Sequence, residues 1–412
     1  MKKLGSLFMG DRVIWVVFFF LCCISLVEVF SAASTLAYRS GNIWLPIGRH
    51  AFNLALGTVA VIVLHKVPCR MFKAIPIILV PTSILLLIVT MFLGAEVNGS
   101  RRWMAGFQPS EFGKLAVVTA VALILSRMQR EDGADPRAFK YILYVSAPIC
   151  LLIMPENFST AMLLFGVVIL MMFIGRVSLV QIGKLIGVCL LAGASVVAIA
   201  LVLPKKVVAE LPGLHRFPTW MSRINTHTDG EDDPNLFDID KKAQIAHANI
   251  AIASSNGIGK MPGNSVERDF LSQAFSDFIF AIIIEEMGLW GAAIVVILYV
   301  FLLFRAGRIS SRCERNFPPF LAMGLTLLLV SQAVLNMMVA VGLFPVTGQP
   351  LPLISRGGTS TIINCCYIGM ILSVSRYARQ VSEPQHTNFD GPMDEIKRTR
   401  EKGSLDADVQ PA

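Results

Sequence analysis

The chain has 412 residues, 54% hydrophobic and 16% charged, with a mean hydropathy of +0.64 and a formal net charge of +8. Soluble domains carry about 25% charged residues, so an ordinary soluble globular protein is excluded and the composition is that of a membrane protein. In such a chain the surplus of cations describes placement across the bilayer, not a nucleic-acid footprint. The eight cysteines (Cys22, Cys23, Cys69, Cys150, Cys189, Cys313, Cys365 and Cys366) lie mostly in apolar runs. None falls in the large polar segment and none has zinc-ligand spacing, so they read as small core hydrophobes.

The first apolar run starts at Val13 and reaches about 20 residues, longer than a signal-peptide core of about 7–15. Despite the small residues Ser31-Ala32-Ala33-Ser34, an uncleaved first span is expected. Further runs follow at Ala51–Leu64, Ala74–Leu93, Leu115–Met128, Tyr141–Met154 and Thr160–Phe173. The last four are Leu185–Leu203, Phe278–Phe304, Pro318–Leu343 and Thr359–Val374. The expected fold is an all-α polytopic membrane protein of about ten transmembrane helices, the shorter runs extending at their ends to cross. Its one large extracytoplasmic loop, Pro204–Ser276, joins the seventh and eighth spans. Residues 1–379 form the transmembrane domain, and the polar stretch 380–412 reads as a disordered tail.

Alternate loops are basic: Lys2, Lys3 and Arg12; Lys66, Arg70 and Lys73; Arg127, Arg130, Arg137 and Lys140; Arg176 and Lys184; Arg305, Arg308, Arg312 and Arg315; and Arg376 with Arg379. The positive-inside rule assigns all of these, and both termini, to the cytoplasm of an inner membrane. The opposite loops hold fewer cations, and a cation there calls for a reason such as an anionic ligand.

Four outer stretches carry candidate chemistry. Asn98–Lys114, NGSRRWMAGFQPSEFGK, starts with a turn and ends with a helix start at Pro109-Ser110-Glu111, Lys114 one turn inward. Glu111 and Lys114 then enter the membrane behind Arg101 and Arg102. The bland reading is ion pairing or snorkelling; the density of cations favours phosphate binding, since Arg forks suit phosphate and Lys adds a point charge. Met154–Thr160 makes a tight turn at Pro155 and Asn157, with Glu156 in it. In the large loop Arg223 and other cations surround an acidic run, and the near-calcium spacing there fails because Leu236 takes the position that needs Glu. Gln244–Ser265 reads as a helix ending in Gly-rich turns, a lid or re-entrant piece on the membrane. His247 within it is isolated and reads as structural. Gly342–Ser360 contains Pro345, Pro350 and Pro352, which forbid a regular helix, and carries Arg356. Such broken backbone is tolerated where it lines a cavity.

Asp277 stands at the seam between the large loop and the eighth span, in SQAFSDFIFAIIIEEMGLWG. It reads either as a helix cap or as a carboxylate facing a wet site, and the surrounding outer cations favour the second. Glu285 and Glu286 follow inside the apolar run.

The set NGSRRW…QPSEFGK, SDFIFAIIIEEMG and FPVTGQPLPLISRGGTS, in order from Val13 to about Arg379, resembles the SEDS (shape, elongation, division and sporulation) family. Within it the resemblance is closest to members serving the division septum. The resemblance implies a ten-helix peptidoglycan glycosyltransferase that polymerises lipid II beside a class B penicillin-binding protein transpeptidase and other divisome membrane proteins. It implies that Asp277 is the essential acid and that Arg102, Lys114 and Glu111 are functional; Arg101, Arg223 and Arg356, as further outer-face cations, are added as candidate substrate-binding residues. A divalent cation, magnesium or manganese, bridging Asp277 and the diphosphate is the second role left open for that acid. Departures are Gln273 and Phe275 in place of a frequent Glu and His, which leaves Asp277 the only carboxylate at the junction, and Arg356 where Tyr is usual. Rival readings are a lipid II flippase, an elongation-type polymerase and a non-catalytic divisome scaffold.

Overall fold

In a computed structural model the described residues are 9–32, 41–42, 44–97, 100–104, 106–202, 221, 239–271, 274–313 and 316–382. Arg223, most of the large loop, Gln273 and the tail beyond 382 lie outside them. The helices are α1 (Arg12–Ala32), α2 (Trp44–Leu64), α3 (Ile75–Leu93, entered through a 3-10 turn, Cys69–Ala74), α4 (Pro109–Arg127), α5 (Pro136–Ile153) and α6 (Phe158–Ile174). They continue as α7 (Leu179–Val202), α8 (Ile239–Ser254), α9 (Ile279–Ser310), α10 (Phe317–Ala340) and α11 (Gly358–Ser382). Two small antiparallel hairpins lie at opposite ends: Ala95–Val97 with Ser100–Trp103, and Gln129–Arg130 with Gly133–Ala134.

Among the described residues nine helices are long and apolar enough to cross a membrane; α6, at 17 residues, is apolar but shorter. Together they make the expected ten, and α8 is the extra helix of the large loop, where a lid was expected. Expected and observed boundaries differ mostly at polar ends. The apolar run expected from Leu115 belongs to a helix that starts at Pro109, where the start was read, because Pro suits the first helical turn and Glu111 complements its dipole.

The centre of the bundle is α4, buried on nearly every residue from Pro109 to Leu125. Its small side chains (Gly113, Ala116, Ala120, Ala122) admit neighbouring helices closely, the packing mode membranes favour. The helices α3, α5, α6 and α10 pack around it, and α11 packs against α2 and α10. By contrast α7 is exposed along most of its length.

Cross-connections define two ends. At one, Arg101 N–H donates to Glu156 Oε2 at 2.8 Å, Arg268 Nη1 to Ser31 Oγ at 3.0 Å, and Arg356 N–H to the Phe275 carbonyl at 3.0 Å. At the other, Arg305 Nε donates to Asp11 Oδ2 at 3.1 Å and Ala134 N–H to the Arg176 carbonyl at 3.2 Å. The basic loops of the sequence therefore gather at the second end.

Candidate functional site

Helix α9 is interrupted early: Gly288 has φ 67° and ψ −167°, a conformation glycine adopts without a Cβ penalty. Into that break docks the glycine-rich stretch after α8. A Cβ on Gly288 would lie 2.5 Å from the Ile258 carbonyl carbon and oxygen, so only glycine permits this approach. Lys260 N–H donates to the Glu285 carbonyl at 2.9 Å, and Met261 N–H to that of Glu286 at 2.8 Å. The two buried acids grip the same stretch with their side chains. Glu285 accepts from Lys260 Nζ at 2.6 Å, Val266 N–H at 3.0 Å and the Ser265 hydroxyl. Glu286 accepts from Gly263 N–H at 3.0 Å, Ser265 N–H at 3.2 Å and the Ser31 hydroxyl of α1. The expected lid is thus a clamped plug, and these glutamates hold structure. His247 Nδ1 donates to Glu267 Oε2 at 2.7 Å, and its ring stacks on Phe270.

Asp277 immediately precedes the Phe278 N-cap of α9, so it stands outside the helix rather than capping it. Its side chain is half-buried and Oδ1 accepts from the Ser276 hydroxyl at 3.0 Å. Two polar residues one turn apart on α10 anchor its surroundings. Asn336 Nδ2 donates to the Asp277 carbonyl at 2.9 Å and to the Gln349 carbonyl at 2.7 Å. Gln332 Nε2 donates to the Pro350 carbonyl at 3.0 Å. The Ser355 hydroxyl donates to the Ser276 carbonyl at 2.6 Å, and Gln349 Nε2 to Thr160 Oγ1 at 2.7 Å. The proline-broken segment 343–357 is therefore fixed against both α10 and the start of α9. At Gly348 (φ 68°) a Cβ would sit 3.7 Å from Asp277 Oδ2.

Next to Gly348, Thr347 lines a cleft of about 550 Å³ between α6 and α10. Its walls are Met162, Leu163, Val334, Leu335 and Met338, with Arg102, Glu156 and Asn157 also lining it. Met162 and Val334 are exposed on the outside of the bundle, so the cleft adjoins the surface that faces lipid. An apolar slot with a guanidinium at its polar side suits a ligand with a hydrocarbon tail and an anionic head.

The expected cations do not all converge. Arg102 does line the cleft. Arg101 is exposed, 3.9 Å from Glu96 Oε2, and lies beside the cleft. Lys114, expected among the phosphate-binding cations, is fully buried, 2.8 Å from Glu111 Oε1 and 2.9 Å from Gln332 Oε1, and does not line the cleft. Glu111 is buried with it. The reason is depth: one turn into the tightly packed α4, an ammonium is enclosed by helices and must pair. Arg356 also stands apart from the cleft, its guanidinium 5.5 Å from the Phe275 ring centroid. Burial, then the nearby Arg49 guanidinium, lowers its pKa from the ordinary value.

Sequence reasoning gave no role to Glu156, Gln332 and Asn336. The last two had a signal: polar residues at i and i+4 inside an apolar run share one helix face and mark a functional or pinned surface. Among the described residues no group of three or more His, Cys, Asp or Glu is placed to hold an ion.

The family model described as "Cell cycle protein", for FtsW, RodA and SpoVE, matches residues 11–380. A probable peptidoglycan glycosyltransferase FtsW of Pseudomonas fluorescens is 31% identical over 369 residues, covering 86% of this chain and 85% of that protein. One from Nitrosomonas europaea is 32% identical over 365 residues, covering 85% and 89%. Among solved structures, a chain of a peptidoglycan synthase complex that coordinates polymerization and crosslinking aligns with a TM-score of 0.67 at 24% identity, over 90% of this chain and 99% of that one. Thermus thermophilus RodA aligns with a TM-score of 0.61 at 23% identity, over 89% and 97%. With a family model spanning nearly the whole transmembrane bundle and relatives above 30% identity at matched length, this chain belongs to the FtsW/RodA/SpoVE family of cell cycle proteins.

Proposed function

We propose that the chain is a multi-pass membrane peptidoglycan glycosyltransferase that polymerises lipid II into glycan strands at the division septum. Relatives of matched length carry that activity in their names. The observation that carries the reading is the half-buried Asp277, anchored through its own carbonyl and adjoining, through Gly348 and Thr347, an apolar cleft lined by Arg102. The loop-and-cleft end faces outward in this proposal, with the basic end and both termini cytoplasmic.

In the reaction the acceptor's N-acetylglucosamine 4-hydroxyl attacks the anomeric carbon of the lipid-diphosphate donor. The carbon–oxygen bond to phosphate breaks, inverting the α-linked donor to a β-1,4 bond, and undecaprenyl diphosphate leaves. Asp277 takes the hydroxyl proton as general base, a contribution of about 10²–10⁴-fold. Arg102 stabilises the charge gathering on the diphosphate, while the apolar cleft wall between α6 and α10 takes the prenyl chain. Lys114, with Glu111, acts as a positioning pair: it holds Gln332, which holds the Pro350 carbonyl of the cleft-forming segment. No step runs through a metal. A cation arriving with the diphosphate is the alternative role for Asp277, and chelation separates the two.

The partner is a class B penicillin-binding transpeptidase, in keeping with the fold's likeness to a chain of a synthase complex. The test uses the purified chain with its transpeptidase and lipid II, reading glycan length on gels. Asp277→Asn is expected to abolish polymer while leaving partner binding and the melting midpoint intact. Unchanged polymer length refutes the assignment. Activity that persists in a chelator supports the base; loss restored by magnesium or manganese supports the cation.

A further inference from the structure

At the basic end a cavity of about 230 Å³ lies between the starts and ends of α1, α9 and α11. Four arginines line it, Arg12, Arg305, Arg312 and Arg379, against a single carboxylate, Asp11. That carboxylate is fully engaged: it accepts from Val13 N–H at 2.9 Å and Ile14 N–H at 3.3 Å, and receives the Arg305 fork. Arg12 and Arg312 have no ion-pair partner among the described residues. The wall is built rather than fortuitous. At Gly10 (φ 102°) a Cβ would meet the Leu372 carbonyl oxygen at 2.9 Å, so the segment before α1 lies directly on α11, and Trp15 Nε1 ties it down through the Met9 carbonyl at 3.1 Å. Immediately inward, α1 exposes Val16 and Phe19 and α9 exposes Phe301 and Phe304, the surface acyl chains contact.

The bland reading is that these arginines only fix topology. Topology needs charge on a side; it does not need guanidinium groups from three helices around one cavity with its lone acid already bonded. Phosphate chemistry fits that geometry, because guanidinium forks pair with phosphate oxygens, and basic pockets between helices at this depth take anionic headgroups. We propose that this cavity binds the phosphodiester headgroup of an anionic phospholipid, held between Arg12 and Arg312 with the Asp11–Arg305 pair as its fixed floor.

The test is native mass spectrometry of the detergent-purified full chain, equilibrated with equal amounts of phosphatidylglycerol and phosphatidylcholine. The expected result is about a tenfold excess of retained phosphatidylglycerol, weakened by salt. The double variant Arg12→Gln/Arg312→Gln should lose that preference while staying monodisperse with an unchanged melting midpoint. If it does not stay monodisperse, Arg312→Lys against Arg312→Gln answers the same question, the lysine keeping the preference and the glutamine reducing it. Equal retention of both lipids, or an undiminished preference in the variants, overturns the proposal. Full displacement by inorganic phosphate also overturns it, since the cavity then takes a free anion and not a lipid.

Discussion

Asp277 and the Glu285–Glu286 pair are three acids within ten residues of one another at the entrance of α9, yet their surroundings are opposite. The glutamates are buried, and each accepts from three donors, all but the Ser31 hydroxyl from a single docked loop. Asp277 keeps its side chain half-exposed while its own backbone carbonyl is the anchored group. A carboxylate saturated with donors is a fixture; the base role proposed for Asp277 calls instead for a fixed main chain and a side chain still partly accessible. On the proposed function, the glutamates hold structure and Asp277 is the acid assigned to chemistry.

Three substitutions sharpen or break that contrast. Glu286→Ala orphans the Gly263 and Ser265 N–H groups and should cost about 3 kcal/mol of stability, whereas Asp277→Ala should change it by less than about 1. Thermal unfolding in detergent, with protease sensitivity of residues 255–268 as a local probe, measures both; equal losses would erase the distinction. Asn336→Ala releases the carbonyls of Asp277 and Gln349 together. Turnover should fall about tenfold through misplacement, with an unchanged pH profile because the carboxyl itself is untouched. A shifted profile would mean that Asn336 tunes the acid directly. The smallest effect is expected at Arg101, whose exposed pairing with Glu96 is worth less than about 1 kcal/mol. Arg101→Gln should leave polymer length essentially unaltered; a large loss would add it to the anion-binding groups beside Arg102.

What the sequence displays plainly are properties of contiguous stretches. Apolar runs mark the spans, Pro109-Ser110-Glu111 marks the start of α4, and the glycines after Gln244 mark turns where α8 ends. What it hides are pairings across the fold. Lys114 meets Gln332 from 218 positions away, and nothing local distinguishes an ammonium aimed at a phosphate from one buried inside the bundle. The cleft is hidden for the same reason, since α6 and α10 contribute opposite walls. Glu285 and Glu286 were visible as costly charges in an apolar run, but most of their partners lie on a loop about twenty residues upstream, which composition does not reveal.

The two carbonyls gripped by Asn336 belong to separate parts of the chain, one at the entrance of α9 and one in the proline-broken segment. Bolting both to a single helix makes acid and adjoining wall travel as one body. A neighbour that leans on α10 would then swing the pair relative to Arg102 on the opposite bank, altering alignment without loosening either half. Throttle and chemistry would share the same lever, and the enzyme's tempo could be set from outside the bundle.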